Sequence, residues 1–317
     1  MSNYQIAKEE ADKIDNQIIF TLQQNKNFRV EAGAGAGKTY SLNRVVDWLQ
    51  ENKAQEMRKQ KQKIACITYT NAAVNVISSR LTQNQNNIFI VPSTIHSFAW
   101  LTIKQYQSTL ISLVKSFKKI PKDCDPNSIL HISYNLGSRY FDDETKTLYL
   151  YHNDVIEFFV NLLDNPKFRM LLTKEYPIIL IDEYQDSFKS VIDKFILYFI
   201  SQNTGPRFGF FGDSWQTIYS FNGACGEINH NNITVINKIS NFRSPENIVN
   251  ALNNIRPNLE QITAIDDYKG EAFVITNNDF DGIRQASSHW NGELPIDILK
   301  QRVNDTWNML KKHKDWK

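Results

Sequence analysis

Cysteine is scarce in this chain: Cys66, Cys124 and Cys225 stand far apart among 317 residues, with no CxxC pair. That spacing argues against a zinc site built on paired thiolates and against a disulfide framework, and it fits a reducing compartment. A surplus of one charge is also missing, since 36 Lys and Arg face 34 Asp and Glu for a formal net charge of +2. The chain is no polycation, so any nucleic-acid binding must come from local placement of groups and not from bulk attraction. Long apolar runs are absent too. Stretches such as 176–181 fall far short of the ~20 residues that span a bilayer. The opening MSNYQIAKEEADKIDNQ shows no apolar core of a secretory signal. Together these features predict a cytoplasmic protein with no membrane partner.

What is present suits packed cores. Hydrophobic residues make up 41% and aromatics 12% of the chain, which excludes wholesale disorder, and the length allows about two domains. Residues 28–32 (FRVEA) read as a short buried strand leading into a glycine-rich turn and a helix whose Leu42, Val45, Val46 and Leu49 form one apolar stripe. A second strand at 64–68 precedes a helix with Val74, Ile77 and Leu81 in register, and further short apolar runs lie at 88–91, 178–181 and 208–211. Strands alternating with helices imply βαβ units and a parallel sheet covered on both faces. Between 101 and 175 the alternation stops. Helical patterns dominate there, with one hairpin expected to turn at 142–144, so this stretch reads as an inserted, mainly helical subdomain. The polar run 51–63 reads as a solvated loop. Beyond 226 a strand-like ITVI, a helix after Pro245 and an amphipathic helix carrying Ile298, Val303, Trp307 and Leu310 follow.

Two segments carry phosphate chemistry. Residues 32–39, AGAGAGKT, fit the Walker A pattern with alanine for the first glycine. Small residues let the backbone amides of Ala34, Gly35 and Gly37 wrap a phosphate at a helix N-terminus. Lys38 then reaches the β- and γ-phosphates of ATP, and the Thr39 hydroxyl is a ligand for Mg²⁺. The second segment, IILIDEYQDS, is a strand that delivers Asp182 and Glu183 at its C-terminal end. Asp182 is placed to hold Mg²⁺ and Glu183 to act as general base on the attacking water.

Six segments in order, AGAGAGKT, TYTNAA (68–73), STIHSF (93–98), DEYQDS (182–187), GDSWQTIYSFNGA (212–224) and NFRS (241–244), resemble the UvrD/Rep-like superfamily 1 DNA helicases over roughly residues 15–250. The resemblance implies a RecA-like P-loop core: residues 1–100 and 176–225 as its two parts, 101–175 as the insertion, and 226–317 as an incomplete second RecA-like domain. It further implies that Gln185 and Gln216 sense the γ-phosphate. Arg243 would stabilise charge on the transferred phosphoryl group, Phe242 would stack on adenine, and Gln17, 21 residues before Lys38, would read the base. For DNA it points to Tyr69, His96, Phe98, Tyr219 and Phe221 as stacking or tracking groups, Phe98 and Tyr219 being the two for which a place in the core competes most strongly. The chain departs from the family where Asn222 replaces a common arginine and Ser214 a common acid. Only 74 residues follow Arg243, too few for a whole second domain with its usual insertion.

Two functions follow from these motifs. One is an ATP-dependent translocase or helicase that responds to single-stranded DNA. The other is an ATP- and DNA-binding regulatory subunit that gates a partner, a nuclease or another protein subunit of a bacterial repair or anti-phage defence system, with little turnover of its own. A P-loop kinase or GTPase leaves DEYQDS and GDSWQTIYSF unexplained and lacks a guanine-reading NKxD.

Overall fold

The structure, a computed structural model, describes residues 1–82, 89–122, 124–217, 223–270, 283–284, 290–291 and 296–312. It divides into a unit over Met1–Gly270 and a small unit over Glu271–Lys317. In chain order the larger unit runs α1 (Asn3–Gln23), β1 (Asn27–Ala32), α2 (Lys38–Gln60), β2 (Ile64–Thr68), α3 (Asn71–Thr82), β3 (Ile90–Thr94), α4 (Ile95–Ile103) and α5 (Gln107–Ser116). It continues with β4 (His131–Tyr134), β5 (Tyr140–Asp142), β6 (Thr147–Leu150), α6 (His152–Leu162), α7 (Pro166–Glu175), β7 (Ile178–Asp182), α8 (Lys189–Phe195) and β8 (Arg207–Gly212). β9 (Ile233–Lys238), β10 (Ser240–Asn241), α9 (Glu246–Ile255) and β11 (Ile262–Thr263) complete it. The small unit holds an antiparallel pair, β12 (Ile283–Arg284) with β13 (Trp290–Asn291), and the helix α10 (Ile296–Lys312), on which Leu299, Val303 and Trp307 are exposed.

Six strands form one parallel sheet in the order β3-β2-β7-β8-β1-β9. The period of two along each strand feeds two cores. In β2, Ala65 and Ile67 point to one face while Ile64 and Cys66 point to the other, and in β7 Ile179 and Ile181 oppose Ile178 and Leu180. Helices α1, α2 and α3 cover one face, with Ile18, Leu42, Val45, Leu49 and Ile77 in its core. Helices α4 to α8 cover the other. This is the α/β fold, a parallel sheet covered by helices on both faces, that the alternation of strands and helices leads one to expect.

Three boundaries differ from the sequence reading. The polar run 51–63 is mostly helix, because α2 continues to Gln60 and ends in a left-handed Lys61. The insertion shares its core with the sheet: Leu110, Val114, Ile132, Leu148 and Val155 pack in the same cluster as Ile179 and Phe208. Its hairpin β5–β6 turns where expected, with Asp142 accepting hydrogen bonds from the amides of Glu144 and Thr145, and β4 adds a parallel strand to β6. Finally, β9 pairs with β1 over Asn27–Ala32, so the ITVI strand completes the first sheet and does not begin a second domain.

Candidate nucleotide site and adjoining groove

The phosphate loop, residues 33–37, leaves β1 and enters α2 at Lys38. Gly35 and Gly37 hold φ near +77° and +78°, a left-handed conformation that side chains resist. At Gly35 a side chain would also collide with its neighbours, since an added Cβ would lie 2.6 Å from Asn241 Oδ1 and 2.7 Å from the Cβ of Arg243. Asn241 binds the loop: its Nδ2 donates to the carbonyl of Ala34 at 2.9 Å, and the amide of Phe242 donates to the carbonyl of Gly35 at 3.0 Å.

Gly33 to Thr39, Glu183, Gln216 and Arg243 line a cavity of about 360 Å³. Lys38 Nζ stands 3.1 Å from Glu183 Oε2, and the buried Gln185 donates to that same oxygen at 2.9 Å. Glu183 is itself left-handed, φ 47°, on the turn that follows β7, and such a non-glycine outlier at the end of a strand marks a site held by its surroundings. Asp182 behind it is buried. Burial first, and then the charge of Glu183, push its carboxyl up to about 6. Thr39 is exposed at the start of α2. Among the described residues no group of three or more His, Cys, Asp and Glu could hold a metal ion. Mg²⁺ is a hard cation that takes one or two protein oxygens and completes its shell with phosphate and water. The Thr39 hydroxyl and the Asp182 carboxylate are donors of that kind.

Beneath the cavity lies a polar network that sequence reasoning missed. Arg29 and Glu31 are buried on β1, where parallel-sheet strands are ordinarily apolar. Glu31 accepts from the Ser214 amide and hydroxyl at 2.9 and 2.8 Å, from the Tyr184 hydroxyl at 2.8 Å and from Arg256 at 2.7 Å. Burial raises the Glu31 carboxyl, but these hydrogen bonds outweigh it and hold it below the usual carboxylate value. Arg256 also donates to Asp213 at 2.6 Å and lies over the ring of Trp215. Asp213 in turn accepts from Gln216 Nε2 at 2.7 Å. The only signal in the sequence was the charged pair alternating in FRVEA.

The adenine expectations do not converge. Phe242 is partly exposed, and its ring meets the edge of Tyr4 at 6.3 Å, near the N-terminus of α1. Gln17 is exposed much further along that helix, about 20 Å from Tyr4 at about 1.5 Å per residue. The structure brings Phe242 to Tyr4 and sets Gln17 several turns further along α1. Tyr4 is the residue of α1 that Phe242 meets.

Tyr69 and His96 line a second cavity, a groove of about 810 Å³ shared with His152, Glu157, Asp186, Phe188 and Ala224. Tyr69 is exposed. His96 is nearly buried and stacks on His152 with ring centroids 3.2 Å apart, its edge against Phe188. Burial, then the neighbouring His152, lower His96 to about 4. Phe98 takes no part: it is fully buried among Phe159 and Tyr176, because it points from α4 into the core and not along the groove. Tyr219 and Phe221, with Asn222, lie outside the described residues.

A family model described as an AAA domain matches residues 15–222, and the chain belongs to that family. Within it the chain is a superfamily 1 helicase-like protein. It is 24% identical to the Gabija protein GajB of Bacillus cereus (strain HuB5-5) over 83% of this chain and 52% of that relative. It is 27% identical to a probable DNA helicase II homolog of Mycoplasma capricolum, over 77% of this chain and 41% of the relative. To the RecBCD enzyme subunit RecB of Buchnera aphidicola it is 28% identical, over 57% of this chain and 16% of the relative. The chain thus spans about half the length, or less, of these curated relatives. Among the described residues no helix is long and apolar enough to cross a membrane.

Proposed function

We propose that this chain hydrolyses ATP, with Mg²⁺, in response to single-stranded DNA, as the motor portion of a translocase or helicase. One observation carries the reading: the turn after β7 has one end in the nucleotide cavity and the other in the groove. Glu183 lines the cavity, Gln185 binds Glu183, and Asp186 and Phe188 line the groove. A strand seated against Tyr69 and His96 would bear on the same short segment that carries the general base. Lys38 would bind the β- and γ-phosphates, Glu183 would take a proton from the attacking water, and Arg243 would meet the charge that develops on the transferred group. Mg²⁺, held by Thr39 and Asp182, would supply positive charge to the phosphate oxygens.

A second reading, a subunit that gates a partner nuclease, has in its favour that one relative is named as a subunit of a multi-subunit enzyme. The two readings separate in one assay. ATP turnover by the chain is measured with and without single-stranded DNA, beside Lys38→Ala and Glu183→Gln. DNA-stimulated turnover that both substitutions abolish supports the motor. Nucleotide binding without turnover, until a partner is added, supports the gate.

A further inference from the structure

We propose that Arg256 is a positioning residue for γ-phosphate recognition, acting through Asp213 on Gln216 and Gln185. The inference rests on the nucleotide-binding reading above and goes beyond it, since Arg256 lies in none of the six motifs. Arg256 caps the C-terminal end of α9, and its side chain is mostly buried. Its guanidinium bridges two carboxylates, Asp213 just past the end of β8 at 2.6 Å and Glu31 on β1 at 2.7 Å.

Both carboxylate oxygens of Asp213 are engaged. Oδ1 takes Arg256 and the Trp215 amide, and Oδ2 takes Gln216 Nε2. With the carboxylate fixed in plane, the Gln216 amide is fixed too. One of its N–H groups is used on Asp213, which leaves the other N–H and the carbonyl for the cavity that Gln216 lines. The backbone of Asp213 extends the chain in the other direction: its N–H donates to Gln185 Oε1 at 3.1 Å, and Gln185 Nε2 holds Glu183. One guanidinium thus sets two groups on the γ-phosphate side of the cleft.

Stability alone is a poor reason for such a site. A buried ion pair is often matched or bettered by apolar packing, because removing charges from water costs as much as their attraction returns. The bidentate fork is specific in what it can do. A lysine could meet Glu31 or Asp213 but could not hold both in these directions. Arg256 belongs to the segment after the sheet, so docking of α9 becomes a condition for a well-set γ-phosphate side.

The test is calorimetric binding of ADP and of the non-hydrolysable AMP-PNP, with Mg²⁺, to the full chain, Lys38→Ala, Arg256→Lys, Gln216→Ala and the double variant. The wild type is expected to prefer AMP-PNP. Arg256→Lys should cut that preference about five- to tenfold and leave ADP affinity within about twofold. In the Gln216→Ala background Arg256→Lys should cut the preference by clearly less than it does alone, because the Gln216 arm is already gone and only the Gln185 arm remains. An unchanged preference, an equal loss for both nucleotides, or full additivity overturns the proposal and reduces Arg256 to a structural role. A wild type that binds neither nucleotide, or binds both regardless of Lys38, overturns the nucleotide reading itself and this inference with it. Should Arg256→Lys lack a cooperative melt, the triple variant Glu31→Gln, Asp213→Asn, Arg256→Gln removes the charge together with both its partners and serves as the reference against which Glu31→Gln, Asp213→Asn alone is judged by the same criteria.

Discussion

Lys38 Nζ and Glu183 Oε2 sit 3.1 Å apart, so the lysine that would bind phosphate is engaged by the carboxylate that would activate water. A γ-phosphate must displace that pairing and then lies next to a second negative charge. Glu183→Gln removes both obstacles and also the base. ATP affinity should therefore rise about three- to tenfold while turnover falls about 10²- to 10⁴-fold. Fluorescent-nucleotide titration beside a phosphate-release assay checks this, and weaker binding by the variant would refute it.

The aromatics of the motifs divide by burial. Phe98→Ala should cost about 3–5 kcal/mol of stability, as a large ring lost from a packed core does. Tyr69→Ala should leave the melt almost unchanged and weaken single-stranded DNA binding by about 1–3 kcal/mol. Urea melts and anisotropy titrations with an oligonucleotide distinguish the two. A Tyr69 variant that binds DNA like the wild type would remove it from the interface.

Lys238 Nζ lies 2.8 Å from Asp15 Oδ1, both side chains fully buried, with Ser41 bonded to each. Lys238→Met leaves a buried carboxylate without its counter-ion and should cost about 3–5 kcal/mol. Combining it with Asp15→Leu should recover most of that loss. A double variant as unstable as the single one would show that the ammonium acts through something other than its pairing with Asp15.

His96 titrates at about 4 in the fold against 6.5 for an ordinary histidine, held neutral by burial and then by His152. The unfolded chain takes up the proton first as pH falls. The contribution is fully present above 6.5 and is lost progressively between about 6.5 and 4, at most about 3 kcal/mol in all. Chemical denaturation at intervals from pH 7.5 to 4 should show this slope, and His96→Phe should flatten it.

Most of the framework was legible because it rests on periodicity. Leu42, Val45, Val46 and Leu49 sit where their spacing put them, and β2 and β7 occupy the expected residues. Phosphate-loop residues were legible because few side chains tolerate left-handed turns against a phosphate. What stayed hidden depends on partners distant in sequence. ITVI reads as a strand, but nothing local says that it pairs with β1. Ser214 reads as a missing acid, yet in space its hydroxyl donates to Glu31, where an acid would face a second carboxylate. Arg256 is the counter-charge to that buried carboxylate.

The amide of Phe242 donates to Gly35, and Asn241 holds both Ala34 and its own chain, accepting from the amides of Arg243 and Ser244. The arginine segment and the phosphate loop are therefore hydrogen-bonded to each other, so opening either one breaks bonds that hold both. In native-state hydrogen exchange the amides of Phe242, Arg243 and Ser244 should share one opening free energy and respond together when nucleotide binds. The loop and the arginine it faces form a single unit of local unfolding, assembled across two hundred residues of chain.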